Sequence, residues 1–249
     1  MFLNLNDVDI TENKREYDLC IIGAGAAGIS IAQKFARDKK LSVCLLEAGG
    51  LSYSSASQEK YDGTWANSIF GNHQTVDNRL VADRLRFFGG TTNHWVGRCR
   101  RFDRQDFKKR PWIPNSGWPI SHSEMTDFYA AAEEVLDIQH HDYDSEKKQE
   151  HRIGDTTRSI KFTFSPPTRM GTKYKEILDV SRNVFTYLNC NFRKFNYSPT
   201  HGGVKSVLCS DYSGREFVFH AKTFVLATGG VENTRILLNE SMNGAIGNK

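Results

Sequence analysis

Three segments near the start of the chain alternate between continuous apolar runs and a helical spacing of apolar residues. Residues 17–23, YDLCIIG, form a short apolar run that ends in glycine, which is typical of a buried parallel strand. Residues 28–38, GISIAQKFARD, have the apolar spacing of a helix, and residues 41–48, LSVCLLEA, form a second apolar run. A strand, a glycine-rich turn, a helix and a strand within about 30 residues predict one βαβ unit.

The remaining pattern predicts further helices and a run of strands. Residues 1–16 are mostly polar and predict a loose lead-in without regular structure. Residues 121–138, 172–182 and 231–240 have apolar residues at helical spacing. Apolar runs separated by turn residues predict several β-strands over 183–229.

The turn of the βαβ unit carries the pattern GxGxxG. Gly23, Gly25 and Gly28 occupy its glycine positions, with Ala26 and Ala27 before the last of them. The first glycine permits a tight turn, the second lets the backbone approach a pyrophosphate, and the third lets helix and strand pack closely. Free N–H groups at the helix N-terminus favour anions. The motif predicts a dinucleotide site; the alternative is a glycine-rich turn in a flavodoxin-like sheet without a ligand.

Two further positions favour FAD as the dinucleotide. Glu47 lies 19 residues after Gly28 and is followed by Ala48. An acid at this position binds a ribose hydroxyl and argues against the 2′-phosphate of NADP. Far downstream, a second apolar strand ends in a small-residue turn that contains Thr228 and Gly229. This distant second turn favours FAD over NAD.

Composition and charge argue against several other functions. The 249 residues carry a net charge of +4, with 39% hydrophobic and 25% charged residues, as in ordinary globular proteins. Seven basic residues fall within 98–110, but two aspartates interrupt them and no nucleic-acid-binding motif accompanies them. The adjacent His-His-Asp at 140–142 lacks the spacing of metal ligands. Five scattered cysteines and the lack of a signal peptide or membrane span lead us to expect a cytoplasmic protein.

Four segments of the chain form a set that is more specific than any one of them. They are the GxGxxG unit with Glu47-Ala48-Gly49, the run Arg86-Phe87-Phe88-Gly89-Gly90-Thr91-Thr92-Asn93-His94-Trp95, the stretch from Phe102 to Ile120, and the ATGG turn with Glu232-Asn233-Thr234-Arg235. Together they resemble the glucose–methanol–choline (GMC) flavoprotein oxidoreductases. The run FSPPTRMG at 164–171 is similar to the branch that contains pyranose oxidase and sugar dehydrogenases.

The resemblance implies an α/β fold, with a Rossmann-like FAD-binding domain and part of a substrate-domain insertion. We accordingly predict three regions: 1–138 with the βαβ unit and the GG loop, an exposed charged insertion over 139–160, and a β-rich segment over 161–249 that returns to the FAD-binding domain. The family implies oxidation of a CH–OH group of an alcohol or sugar by hydride transfer to flavin N5. The electron acceptor is left open as oxygen, a quinone or a redox protein.

His94 is the sharpest single prediction that the resemblance offers. In some family members a histidine in this pattern is bonded covalently to the flavin 8α-methyl group. The alternatives are a non-covalent neighbour of the ring and a histidine with a structural role. The two glycines of the loop would let the backbone pass close to the ring. The remaining predicted cofactor contacts are Gly89, Gly90, Thr91, Asn93, Trp95 and Phe192.

The catalytic pair of the family, His–His or His–Asn near the C-terminus, has no match in these residues. We therefore predict an N-terminal portion that carries no catalytic residue and no metal. Other readings stay open: a different two-turn FAD enzyme, a non-catalytic FAD-binding or interaction protein, or a fragment that does not fold alone. The lack of CxxxxC argues against a disulfide reductase, and the GGTTNHW run argues against a hydroxylase.

Overall fold

The computed structural model describes residues 1–7, 15–63, 79–139, 152–153, 157–158, 160, 162–198 and 203–240. The chain divides into two compact units. The first comprises Met1–His94 with Arg169–Lys249, and the second comprises Trp95–Thr168. The predicted insertion over 139–160 lies largely outside the described residues. The functional division into three regions stays a prediction.

The described residues form eleven strands, most of which belong to one large sheet in the first unit. In chain order, the strands of the described residues are β1 Phe2–Asn4, β2 Glu16–Ile22, β3 Val43–Leu46, β4 Arg98–Cys99, β5 Arg152–Ile153, β6 Thr157–Arg158, β7 Thr163–Phe164, β8 Val184–Leu188, β9 Asn191–Tyr197, β10 Val204–Ser210 and β11 Glu216–Leu226. Seven of them form a sheet in the order β1-β8-β3-β2-β11-β10-β9. The first five in that order run parallel, and β10 and β9 are antiparallel to their neighbours.

The described residues also form six α-helices and three 3₁₀ turns. In chain order, the helices of the described residues are α1 Ala26–Asp38, α2 Ser55–Gln58, α3 Arg79–Ala82, α4 Thr126–Val135, α5 Met170–Asp179 and α6 Gly230–Glu240, with 3₁₀ turns at Glu59–Tyr61, Gly90–Asn93 and Ser123–Met125. α1 joins β2 to β3 and buries Ile29, Ala32 and Ala36 on one face, as its 3.6-residue spacing predicts. The predicted βαβ unit is confirmed, and so is the α/β class with a Rossmann-like, mostly parallel sheet.

The core of the first unit consists of apolar strand residues. β3 is buried at all four positions. Cys20 in β2 pairs in register with Cys44 in β3, and Cys190 and Cys209 are buried in the same cluster. Burial raises the pKa of Cys44 and Cys190, so these thiols stay protonated at neutral pH. Cysteine acts here as a small apolar residue, as expected for the first two positions.

The prediction of a loose lead-in over residues 1–16 is wrong at its start. β1 pairs in parallel with β8, in the register Phe2↔Thr186, and Leu5 is fully buried. The Met1 ammonium group donates hydrogen bonds to the carbonyl oxygens of Leu178 and Val184. A strand of three residues is too short to display a period of two, so its pairing is visible only in the folded chain.

The second unit contains short elements. β4 pairs with β7, and β5 pairs with β6, both antiparallel. The helix predicted from residue 121 begins as a 3₁₀ turn and continues as α4. A capping box precedes it, because Ser121 N–H donates to Glu124 Oε2 at 2.7 Å and Glu124 N–H donates to Ser121 Oγ at 3.4 Å. Trp95 Nε1 donates to the Thr168 carbonyl oxygen at 2.9 Å.

Within the described part of the chain, every helix is too short or too polar to cross a membrane.

We expect Gly28→Ala to lower the free energy of unfolding of the chain by roughly 1–3 kcal/mol, because the added Cβ overpacks the βα contact. An ideal Cβ at Gly28 would lie 1.9 Å from the Gly23 carbonyl oxygen. Gly203→Ala is the control, since a Cβ there meets no atom within 4 Å. Urea unfolding compares the two variants with the parent chain. Equal loss of stability in both would contradict the packing role of Gly28.

Candidate nucleotide-binding site

The carboxyl ends of three neighbouring parallel strands meet at one edge of the sheet. Gly23 follows β2, Glu47 follows β3 and Ala227 follows β11. Gly23 N–H donates to the Leu46 carbonyl oxygen and Ala227 N–H to the Ile22 carbonyl oxygen, each at 2.8 Å. Ligands of open α/β sheets bind outside this edge. The two glycine turns found in the sequence therefore lie side by side.

The GxGxxG turn leaves an open helix N-terminus at this edge. Gly23 has φ +103°, and a Cβ there would lie 2.6 Å from the Ala227 carbonyl oxygen. Gly25 precedes α1, with no side-chain cap and no acidic residue in the first turn, and the side chains of Ala26 and Ala27 are exposed. The first N–H groups of α1 are therefore free of side-chain caps, and the helix dipole favours an anion here.

The GG loop packs directly on the first turn. Gly89 N–H donates to the Ala24 carbonyl oxygen at 2.9 Å. A Cβ at Gly90 would lie 3.0 Å from Gly25 Cα. Gly89 and Gly90 have φ of +99° and +55°, which favours glycine at both positions. The glycines serve first to bring two backbones together, and their approach to a flavin ring stays a prediction.

The start of α5 holds the GG loop from the other side. Thr92 is buried, and its Oγ1 donates to the Gly89 carbonyl oxygen at 2.6 Å. Arg169 Nη1 donates to the Thr92 carbonyl oxygen at 2.9 Å. A Cβ at Gly171 would lie 2.6 Å from the Phe88 carbonyl oxygen. The loop is thereby packed between the GxGxxG turn and α5.

The predicted polar contacts of the loop have different surroundings. Thr91 is exposed, and Asn93 Nδ2 donates to the Phe88 carbonyl oxygen at 3.0 Å. His94 is exposed, and its Nε2 lies 3.3 Å from the Asp83 carbonyl oxygen. Trp95 begins the second unit. The cofactor contacts of these residues, and the alternatives for His94, stay predictions.

Glu47 closes the GxGxxG turn onto β3. Its carboxylate is buried, with Oε2 accepting Ala24 N–H at 3.0 Å and Oε1 accepting Gly49 N–H at 2.9 Å. Burial raises the pKa of Glu47, although the two N–H groups and the nearby Arg86 act in the opposite direction. A carboxylate has about four acceptor positions, so capacity for a ribose hydroxyl remains. The ribose contact itself stays a prediction.

Asn233 fixes the ATGG turn. Its Oδ1 accepts hydrogen bonds from the Thr228 N–H at 3.0 Å and from Thr228 Oγ1 at 2.6 Å, and its Nδ2 donates to the Leu226 carbonyl oxygen at 3.2 Å. Gly229 has φ +89° and is exposed. The turn that the sequence singled out thus depends on a side chain from the first turn of α6.

An ion pair joins α6 to the segment before the GG loop. Arg84 Nη1 donates to Glu232 Oε1 at 2.9 Å, and the Arg84 guanidinium lies 4.0 Å from the centre of the Tyr61 ring. Burial opposes ionisation of Glu232, but hydrogen bonds from Arg84 and Arg235 hold its pKa below the ordinary value of 4.5. Burial, followed by the charge of Glu47, raises the pKa of Tyr61 to about 12.

A polar cavity of about 520 Å³ adjoins the site. Phe192, a predicted cofactor contact, lines it, and so does Arg86, the first residue of the RFFGG run. Charged and polar side chains dominate the wall: Lys60, Arg86, Asn191, Phe192, Arg193, Ser210, Asp211, Tyr212, Gly214, Glu216, Arg235, Ile236, Asn239 and Glu240. Phe192 is an aromatic residue among these polar side chains. This combination suits a heteroaromatic ring with polar edges.

In the residues that the structure describes, no group of three His, Cys, Asp or Glu side chains is arranged to hold a metal ion. A family model described as lycopene cyclase protein matches residues 18–83, which contain the βαβ unit. That match supports the nucleotide-binding type of the unit.

Curated relatives give a narrower assignment. The oxygen-dependent choline dehydrogenase of Xanthomonas campestris pv. campestris is 55% identical over 144 residues, covering 52% of this chain and 25% of the relative. The ecdysone oxidase of Bombyx mori is 33% identical over 78 residues, covering 31% of this chain and 12% of the relative. These relatives support the resemblance of the chain to the GMC oxidoreductases.

Solved structures agree with this fold. The formate oxidase of Aspergillus oryzae RIB40 superposes with a TM-score of 0.51 at 14% identity, covering 93% of this chain and 48% of that one. The pyridoxine 4-oxidase of Mesorbium loti gives 0.51 at 16% identity, covering 90% and 51%. The chain thus spans about half the length of these two structures and a quarter of the choline dehydrogenase.

FAD is the cofactor that the GMC-type relatives and structural neighbours indicate, and the described residues fit its ADP half. The fit rests on an uncapped helix N-terminus, the free space around the Gly25 Cβ position and the buried acid at the end of β3. Sequence reasoning missed the side chains that hold these parts together: Arg84, Arg86, Thr92, Arg169 and Asn233. Their local sequence carries no signal of the partners that they bind in the folded chain.

We expect Glu47→Gln to lower the free energy of unfolding by about 1–3 kcal/mol. The amide NH₂ would replace one acceptor and face the N–H of Ala24 or Gly49, leaving that buried donor without a partner. Glu59→Gln is the control, because Glu59 is exposed and such changes stay within about 0.5 kcal/mol. Urea unfolding at neutral pH is the measurement. A Glu47→Gln variant as stable as the parent chain would contradict the role of the carboxylate.

The Glu232 ion pair predicts a pH dependence of stability. Because the pKa of Glu232 is lower in the folded chain than its ordinary value of 4.5, its contribution is present above pH 4.5 and is lost as the pH falls through the folded value. We expect Glu232→Gln to cost about 1 kcal/mol at pH 7 and progressively less below pH 4.5. Urea midpoints across this range test it. The exposed Glu176→Gln is the control, and a difference that does not vary with pH would refute the prediction.

Proposed function

We propose that the chain binds FAD at the carboxyl edge of its parallel sheet, as the FAD-binding part of an enzyme that oxidises a CH–OH group of an alcohol or sugar. One observation carries the proposal. The three turns that the GMC resemblance assigns to the cofactor lie against one another, with Gly90 packed on Gly25 and Ala227 on Gly23. Their convergence supports one extended ligand rather than three separate loops.

In this proposal each part of the site holds a different part of the cofactor. The first N–H groups of α1 bind the pyrophosphate, and Glu47 accepts a hydrogen bond from the ribose. The cavity beside Phe192 receives the adenine, and the GG loop orients the ring end. FAD supplies the hydride acceptor, at N5, for the alcohol carbon. The covalent and non-covalent alternatives for His94 both belong to this arrangement.

The names of the relatives support an alcohol as substrate. Choline, ecdysone and pyridoxine, after which three of them are named, all carry hydroxyl groups. The sequence lacks the His–His or His–Asn pair of the family. We therefore place the acid–base pair outside these 249 residues and leave the acceptor as oxygen, a quinone or a redox protein. The missing pair also favours a second candidate, a protein that binds FAD without oxidising an alcohol.

We expect the purified chain to carry flavin, seen as the visible absorbance of the oxidised ring, and Gly25→Ala to lose it. A Cβ at Gly25 meets no protein atom, so the variant folds, but it occupies the space into which a pyrophosphate must come. Gly203→Ala is the control, because its Cβ position is equally open and lies in the turn between β9 and β10. A colourless parent chain that also takes up no added FAD would refute the proposal.

Two further measurements on the same sample separate the open alternatives. Acid precipitation leaves the colour in the pellet when flavin is covalently attached through His94, and releases it to the supernatant when it is not. Anaerobic addition of choline and simple sugars tests for bleaching of the flavin. Bleaching by the chain alone would contradict our placement of the catalytic pair outside it, and its absence agrees with both candidate functions.

A further inference from the structure

Arg86 links three parts of the first unit through one guanidinium group. Nη1 donates to Tyr212 OH at 2.7 Å and approaches Ser57 Oγ at 3.3 Å, while Nη2 donates to Asn191 Oδ1 at 2.7 Å. Tyr212 OH in turn lies 3.0 Å from the Ala48 carbonyl oxygen, which accepts its hydrogen bond. The side chain therefore joins the ends of β3 and β10 to the start of β9, and Tyr212 and Asn191 line the cavity together with Arg86.

The main chain of the same residue is held just as closely. Arg86 N–H donates to Gln58 Oε1 at 3.0 Å, and its carbonyl oxygen accepts from Ser57 Oγ at 3.0 Å. A Cβ at Gly49 would lie 2.0 Å from the Arg86 carbonyl oxygen. Three residues later the chain reaches Gly89, whose N–H donates to the GxGxxG turn. The main chain is thus held at Arg86, three residues before the GG loop.

The other cations of the cavity are held differently, and Arg235 pairs with Glu232 of its own helix at 2.8 Å. Lys60 and Arg193 also line it, but both side chains are exposed, whereas Arg86 is half-buried. Asp211, on the same wall, is engaged by Arg215 at 2.6 Å. Charge near the cavity is therefore supplied by several residues, while the planar guanidinium of Arg86 joins Tyr212 to Asn191. An ammonium group on a flexible stem cannot reproduce that planar fork.

We infer that Arg86 is a positioning residue of the FAD site, which sets the wall at the adenosine end through its guanidinium and the path of the GG loop through its main chain. The inference rests on the proposed function and deepens it, because it makes the two ends of the cofactor site depend on one residue. Arg86 acts through Tyr212, Asn191 and Gly49, so it needs no contact with the reacting atoms.

The test compares Arg86→Lys with Arg193→Lys in the full chain. ADP, titrated calorimetrically, probes the adenosine end, and the visible circular dichroism of bound FAD probes the ring end. We expect Arg86→Lys to weaken ADP binding about tenfold or more, since it removes hydrogen bonds to a charged group. We also expect it to alter the FAD dichroism. Arg193→Lys is expected to change neither by more than about twofold.

Several outcomes would overturn the inference. Unchanged ADP affinity and dichroism in Arg86→Lys would do so, even if urea unfolding showed lower stability, because the residue would then be structural only. Equal losses in both variants would assign the effect to general positive charge. If Arg86→Lys does not fold, Tyr212→Phe replaces it, with a smaller loss in the same two readouts expected. A parent chain that binds neither ADP nor FAD would instead refute the proposed function.

Discussion

The buried carboxylate of Glu47 is the interaction on which the nucleotide site depends. It accepts N–H groups from Ala24 and Gly49, and thereby ties the turn after β2 to the turn after β3. A buried N–H without a partner costs about 1–3 kcal/mol, so two of them would remove a large part of the free energy of unfolding of a typical domain. The same carboxylate has capacity left for a ribose. Structural closure of the turn and the proposed ligand contact therefore come from one group.

Around that carboxylate the site is assembled mainly from backbone. The GxGxxG turn, the GG loop, the segment after β3 and the start of α5 approach each other where a Cβ would collide, at Gly23, Gly49, Gly89 and Gly171. Glycine is needed at these positions because backbone atoms of a neighbouring segment lie where a Cβ would be. A surface built this way presents N–H groups and a helix dipole, which suits phosphates better than it suits acid–base chemistry. The described residues accordingly suit the binding of a cofactor.

Local pattern predicted the regular elements well where those elements are long or continuously apolar. The predicted bounds are close to the observed ones for β2, α1, β3 and α6. A parallel strand that is buried on both faces has a continuous apolar run, and a helix that is buried on one face has apolar residues at helical spacing. β1 was missed because three residues display no period. One continuous helix was predicted over 121–138, but the structure has a 3₁₀ turn at Ser123–Met125 before α4, next to the Ser121–Glu124 capping box. These errors fall at element ends, where hydrogen bonds to distant or neighbouring groups outweigh propensity.

By itself the sequence determined that the chain begins with a dinucleotide-type βαβ unit, that an acid ends its second strand, and that a GG loop and an ATGG turn belong to the same set. Motif spacing carries the first two of these, because each glycine of the turn serves a local turn or a close approach. The third is what the resemblance to the GMC oxidoreductases implies. Only the tertiary structure decided which groups hold the turns together: Thr92 with Arg169, Asn233 with Thr228, and Arg86 with Tyr212 and Asn191. Most of these hydrogen bonds join residues far apart in the chain, and a side chain's distant partner is set by how strands and loops meet in space, which local pattern does not record.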